Sequence, residues 1–188
     1  MTMKNWVGLR ALNYGAIGAV LGHELTHGFD NNGRHYDSDG NLRQWWTDAT
    51  ISEYTERTEC FIKHYNEYYF AEADDYVNGE LTLGENIADN VGLREAGIAY
   101  GRWRARHGEE PLLPGFTNLT HDQLFFLAFA HLWCETYTKD SLKWMLLDTH
   151  CPGHVRLKAV LRNSKEFSKA WKCPKASNMN PVNKCHVW

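Results

Sequence analysis

Five residues, His23-Glu24-Leu25-Thr26-His27, constrain this 188-residue chain more than any other stretch. They read as H-E-x-x-H, a pattern that chance would produce roughly 0.04 times in a chain of this composition. On a helix, positions i and i+4 stand one above the other on one face. His23 and His27 can then share one Zn²⁺, while Glu24, beside that face, can take a proton from a zinc-bound water. The preceding run, Leu12 to Gly22, is apolar, rich in small residues and free of proline. It predicts a buried helix over about 12–30, in which each glycine costs about 1 kcal/mol of helix propensity and allows close packing. Gly28 and then Asp30-Asn31-Asn32-Gly33 supply the turn that stops it. A buried helix bearing two histidines and a glutamate must satisfy those polar groups, and a metal ion does so economically.

A catalytic zinc site needs a third protein ligand and a position left for water. A third histidine six residues after the second would fall at Gly33, which excludes the metzincin pattern. His35 lies beyond the turn. A glutamate about 20 residues after His27 would fall near Thr47, which cannot serve. The best downstream candidate is Glu85 in Gly84-Glu85-Asn86-Ile87-Ala88-Asp89-Asn90. If that segment is helical, Glu85 and Asp89 share a face, so Glu85 can bind the metal while Asp89 holds the N–H of a zinc-bound imidazole. The same residues also suit a solvated acidic helix start.

These two segments resemble the neprilysin and endothelin-converting-enzyme family of zinc endopeptidases. The likeness continues through Leu12-Asn13-Tyr14-Gly15, Trp45-Trp46-Thr47, Gln123-Leu124-Phe125-Phe126-Leu127, Trp133-Cys134 and Met179-Asn180-Pro181 to Lys184-Cys185-His186-Val187-Trp188. It implies a mainly α, gluzincin (thermolysin-like) catalytic domain portion with little β structure. It implies His23, His27 and Glu85 as zinc ligands, Glu24 as general base and Asp89 as the acid orienting an imidazole. In Asp148-Thr149-His150-Cys151-Pro152-Gly153-His154-Val155-Arg156 it implies a transition-state histidine at His150 and a substrate-binding arginine at Arg156. The residues alone do not choose between His150 and His154, although an N–H donor for an oxyanion and a fork of donors for a substrate carbonyl are sound chemistry. Val20, Leu132 and Trp133 are implied as a pocket for a hydrophobic residue after the cleaved bond; the apolar run Leu124 to Trp133 equally suits plain core.

Net charge is −3 with neutral histidines and no basic block occurs, which points away from nucleic acid. The longest apolar run, Leu124 to Ala130, falls well short of the ~20 residues of a membrane helix. Asp37-Ser38-Asp39-Gly40-Asn41 lacks the spacing of an EF-hand loop. Five cysteines leave at least one unpaired. The resemblance implies a Cys60–Cys185 disulfide and upstream partners for Cys134 and Cys173, and it has no counterpart for Cys151. Asn118-Leu119-Thr120 is a glycosylation sequon. The resemblance, with the implied disulfide and the sequon, implies an extracellular or cell-surface ectodomain, and it implies peptide substrates.

The family resembled is much longer, with a membrane anchor, a large N-terminal lobe and an upstream Asn-Ala-aromatic segment that clamps substrate. The sequence therefore divides into a non-family stretch, 1–11, and the C-terminal part of a catalytic domain, 12–188. The expected elements are the helix over 12–30, a loop or hairpin over 35–44 turning at Asp39-Gly40, helices over 47–73 and 83–107, a linker over 108–115, a helix capped by Thr120 and Gln123, and a short helix over 163–172. Three functions compete: a zinc endopeptidase; a catalytically incomplete zinc-binding fragment serving as an interaction or regulatory module; and an aminopeptidase, for which no acidic site for a free amino group is evident.

Overall fold

The computed structural model describes residues 9–188; residues 1–8 of the expected N-terminal stretch lie outside the described residues. Among the described residues almost all regular structure is helical, and strand is confined to a two-stranded antiparallel hairpin and one isolated bridge. The first helical stretch comprises α1 (Arg10–Asn13), a π-helical segment (Tyr14–Gly18), α2 (Ala19–Thr26) and a 3₁₀ turn (His27–Phe29). After it, the Tyr36–Leu42 bridge closes the expected hairpin-like loop.

Helix α3 (Asp48–Tyr65) starts at Thr47, whose side chain accepts from the Thr50 N–H, with Asp48 in its first turn. It stops well short of residue 73. Asn66 Oδ1 accepts from the Gly79 N–H at 2.7 Å, and the aromatic-rich sequence that follows forms β1 (Tyr69–Phe70) and β2 (Asp75–Tyr76). Tyr69 faces Tyr76 across the pair, with ring centroids 4.9 Å apart, and the turn places Asp74 at φ 55°. Aromatic cross-strand pairing and burial of Phe70 win over helix propagation here.

Helix α4 (Leu83–His107) is the central element. Leu83, Ile87 and Val91 pack in one core cluster with α3, the hairpin and Val155 and Ala159, while Leu93, Ala96 and Tyr100 pack in a second with Ala11, Leu124, Phe125, Phe129 and Val160. Apolar residues around much of its circumference are what a helix buried on several sides requires. Helices α2 and α4 meet at Gly22 and Gly92. A Cβ on Gly22 would lie 2.6 Å from the Gly92 carbonyl oxygen, and one on Gly92 would lie 2.4 Å from the His23 amide nitrogen. Backbone therefore touches backbone, and the H-E-x-x-H segment is pressed onto the N-terminal half of α4.

Helix α5 (His121–His131) has the expected capping box of Thr120 and Gln123. Two further helices, α6 (Lys139–Met145) and α7 (Gly153–Asn163), lie where no helix was expected, and α8 (Lys165–Ala170) forms the late helix. Cys60 and Cys185 are joined by a disulfide with Cα atoms 5.5 Å apart, tying the tail to α3. The Trp188 ring packs on Trp46 and Tyr54, and Arg57 Nη1 donates to the Val187 carbonyl at 2.6 Å.

Candidate metal centre

The Gly22–Gly92 crossing leaves the next turn of α2 opposite the first two turns of α4. His23 Nε2 and His27 Nε2 stand 3.0 Å apart, and Glu85 Oε2 lies 3.2 Å from the first and 3.6 Å from the second. The far side of each imidazole is held by a carboxylate. His23 Nδ1 contacts Asp89 Oδ1 at 2.9 Å, and His27 Nδ1 contacts Asp30 Oδ2 at 2.7 Å. With each Nδ1–H committed to a carboxylate, neutral rings turn their Nε2 lone pairs toward each other. Two lone pairs at 3.0 Å repel unless a cation lies between them.

Glu85 Oε2 reports the same demand. It is buried and makes no aligned hydrogen bond, although His150 Nε2 is only 3.0 Å away and His23 Nε2 3.2 Å. Burial opposes a charge on His23, but the Asp89 carboxylate against its Nδ1 and the nearby Glu85 carboxylate outweigh it and raise its pKa to about 9. The same surroundings favour a proton or a metal ion at this point. Tetrahedral zinc with bonds of about 2.0–2.1 Å has ligand–ligand edges of about 3.3 Å. The observed 3.0, 3.2 and 3.6 Å bracket that value. Two imidazoles and one carboxylate are also a donor set that zinc takes in hydrolytic sites, so the residues present fit the metal.

Asp30 was legible only as a turn former, yet it is 4% exposed and does two jobs. Its Oδ2 orients His27, and its Oδ1 accepts from the Asn32 and Gly33 N–H groups at 2.7 Å each. The available signal was an acid three residues after His27 in a turn that needed an acceptor. Asp89, also buried, accepts from Arg156 Nε and Nη2 at 2.7 Å each as well as facing His23. Burial would raise the Asp89 carboxyl, but the Arg156 fork and His23 hold it below the ordinary range.

A cavity of about 210 Å³ opens beside these groups, lined by Val20, His23, Glu24, Asp89, Leu132, Trp133, His150 and Arg156 among others. His23 belongs both to this lining and to the cluster with His27 and Glu85, so the cavity adjoins that cluster. Glu24 is exposed there and makes no hydrogen bond or ion pair among the described residues. Asp148 Oδ1, another residue sequence reasoning passed over, accepts from the His150 backbone N–H at 2.7 Å and lies 2.8 Å from its Nδ1. Arg156 is not a solitary grip: besides its bond to Asp89, its guanidinium lies 4.3 Å from the Trp133 ring centroid. His154 points elsewhere, to the Tyr137 hydroxyl at 3.2 Å and the Phe70 ring.

Cys151 is buried beside the site, and burial pushes its thiol up to about 12, so it stays protonated. Cys134 is exposed and Cys173 half-buried, neither in a disulfide. Asn118 is exposed. No helix among the described residues is long and apolar enough to cross a membrane.

The profile of peptidase family M13 matches residues 7–187. Neprilysin-2 of Caenorhabditis elegans is 49% identical over 179 residues, covering 95% of this chain and 24% of that protein. Endothelin-converting enzyme 1 of Homo sapiens is 48% identical over 180 residues, 95% of this chain and 23% of that protein. Among solved structures, the zinc metalloprotease ZMP1 of Mycobacterium tuberculosis in its open state superposes with a TM-score of 0.85 at 35% identity, over 97% of this chain and 29% of that one. The chain spans about a quarter of the length of the relatives it matches. Near-complete coverage of this chain by one family, with the fold shared as well as the sequence, places it in peptidase family M13.

Proposed function

We propose that this chain carries the catalytic centre of a zinc metalloendopeptidase that cleaves peptides on the amino side of hydrophobic residues. The observation supporting this most directly is the convergence of His23 Nε2, His27 Nε2 and the otherwise orphaned Glu85 Oε2 beside an unpaired Glu24. His23, His27 and Glu85 would hold a zinc ion, which would supply Lewis acidity to lower the pKa of a water and polarise the scissile carbonyl. Glu24 accepts the water's proton and delivers it to the departing amine. His150, its Nδ1 held by Asp148, donates from Nε2 to the oxygen on which negative charge develops. Arg156 has two of its five N–H donors on Asp89, leaving others for a substrate carbonyl. Asp89 and Asp30 hold the two imidazoles in the tautomer that presents Nε2. Val20, Leu132 and Trp133 supply an apolar wall for the side chain that follows the cleaved bond. The observed disulfide and the exposed Asn118 sequon support an extracellular or cell-surface setting with Asn118 glycosylated.

The test compares zinc content and cleavage of a fluorogenic peptide in the wild type and in Glu24→Gln. Equal cleavage by the variant refutes the proposal. A second reading, a zinc-bound interaction module without turnover, draws support from Ile17, Leu21 and Leu25, spaced four apart on the α2 stretch and 57%, 58% and 71% exposed. A zinc-loaded monomer with ordinary peptidase turnover excludes it.

A further inference from the structure

Helix α7 brings Arg156 to the cavity, yet it has no cap of its own. Its N-cap residue is Pro152, its first turn holds no acid, and no side chain within the helix start accepts its N–H groups. The first N–H, on Gly153, is taken instead by Glu135, whose Oε1 accepts it at 2.8 Å from 18 residues upstream. A carboxylate is well placed at this positive helix end. Glu135 lies two residues after Trp133, which with Leu132 makes the cavity wall. The same segment makes a second contact with the first turn of α7 through the Tyr137 hydroxyl and His154 Nδ1. Trp133 also lies under the Arg156 guanidinium. A Cβ on Gly153 would sit 2.2 Å from Glu135 Oε1 and 3.4 Å from the Trp133 ring edge. Only glycine at 153 leaves room for the carboxylate to reach the backbone.

We propose that Glu135 is a positioning residue that determines specificity: by holding the Gly153 N–H it clasps the Leu132–Trp133 wall to α7 and sets how well a large apolar substrate side chain fits the cavity. The inference rests on the reading of that cavity as the pocket for the residue after the cleaved bond. Glu135 touches none of the reacting groups, so its loss acts on binding of bulky side chains and leaves the chemical step intact.

The test uses two fluorogenic peptides that differ only in Phe or Gly after the scissile bond, with wild type, Glu135→Ala, Glu135→Gln and Gly153→Ala. Glu135→Ala and Gly153→Ala should raise KM for the Phe peptide roughly three- to ten-fold with kcat nearly constant, and should leave the Gly peptide unchanged. Glu135→Gln retains an acceptor and should stay near wild type. Combining Glu135→Ala with Gly153→Ala should add nothing to either alone. Unchanged KM in Glu135→Ala, equal losses on both peptides, or a Gln variant as impaired as Ala overturns the proposal. Amide hydrogen exchange over 150–156, read without substrate, separates the clasp from the peptidase reading. If the wild type cleaves neither peptide, the peptidase reading has failed; faster exchange in Glu135→Ala still upholds the clasp, and unchanged exchange overturns it.

Discussion

Replacing Asp89 by alanine should injure metal binding and folding through two separable contacts. Asp89 Oδ1 faces His23 Nδ1 at 2.9 Å, and both carboxylate oxygens take the Arg156 fork at 2.7 Å. Loss of the first contact frees the imidazole to adopt the other tautomer or rotate, which lowers zinc affinity about 10- to 100-fold, or about 1.4–2.7 kcal/mol. Loss of the second leaves a guanidinium whose side chain is 13% exposed without its counter-ion, at a cost to stability of about 3 kcal/mol. Pairing the change with Arg156→Leu removes the stranded charge. The double variant should recover most of the stability while zinc affinity stays low. Competition of the protein with a chromophoric zinc chelator reads affinity, and urea unfolding of the chelator-stripped protein reads stability. Zinc affinity of Asp89→Ala within two-fold of wild type would refute the orienting role. A double variant no more stable than Asp89→Ala would refute the assignment of the lost stability to Arg156.

Other perturbations probe the scaffold. Gly92→Ala places a methyl 2.4 Å from the His23 amide nitrogen, so it should destabilise the chain by about 1–3 kcal/mol and weaken zinc binding, whereas Gly101→Ala, with open space around it, should do neither; denaturant midpoints and zinc titration decide. His64 is held down to about 4, first by burial and then by Arg162 and Lys184, against an ordinary 6.5. Above pH 6.5 the imidazole is neutral folded and unfolded and contributes no pH dependence. As the pH falls toward 4 the unfolded chain takes up a proton that the folded one refuses, so stability declines by up to about 3 kcal/mol and levels off below. His64→Gln should flatten that part of the stability–pH curve between 7 and 4, and an unaltered curve contradicts the assignment. Reducing the Cys60–Cys185 bond, whose partners are 125 residues apart, should lower stability by about 5 kcal/mol on the chain-entropy model. Thermal unfolding with and without a thiol reductant, alongside a Cys60→Ser control, measures it.

Parts of the site could be read from residue spacing because their geometry is local. An i, i+4 pair of histidines on a helix faces one way whatever surrounds it, and the Thr120–Gln123 capping box is complete within four residues. Glu85 and Asp89 were harder, since an acidic helix start and a metal ligand share one local pattern, and only burial against α2 separates them. Asp30 was overlooked because the turn over 30–33 already explained it. The α3 overrun to residue 73 arose because Tyr68, Tyr69 and Phe70 continue a helical pattern on paper, while in the fold Tyr69 and Phe70 pair with β2, and Tyr68 and Phe70 enter the core. Helices α6 and α7 are short and lie among Cys, Pro and Gly, where periodicity has too few residues to register.

By itself the sequence determined the helical class, the paired imidazoles, the glutamate beside them and, through resemblance, the family and the disulfide partners. These are properties of a few residues at short spacing, or of a pattern shared along the chain. The tertiary structure decided what no local spacing can contain. The backbone contact at Gly22 and Gly92 brings α2 onto α4 and so carries Glu85 and Asp89 to the two histidines. Arg156 divides its donors between Asp89 and the cavity, and Glu135 reaches the start of α7 from another segment. Each depends on where two distant backbones come to rest, which is set by the packing of both hydrophobic clusters at once.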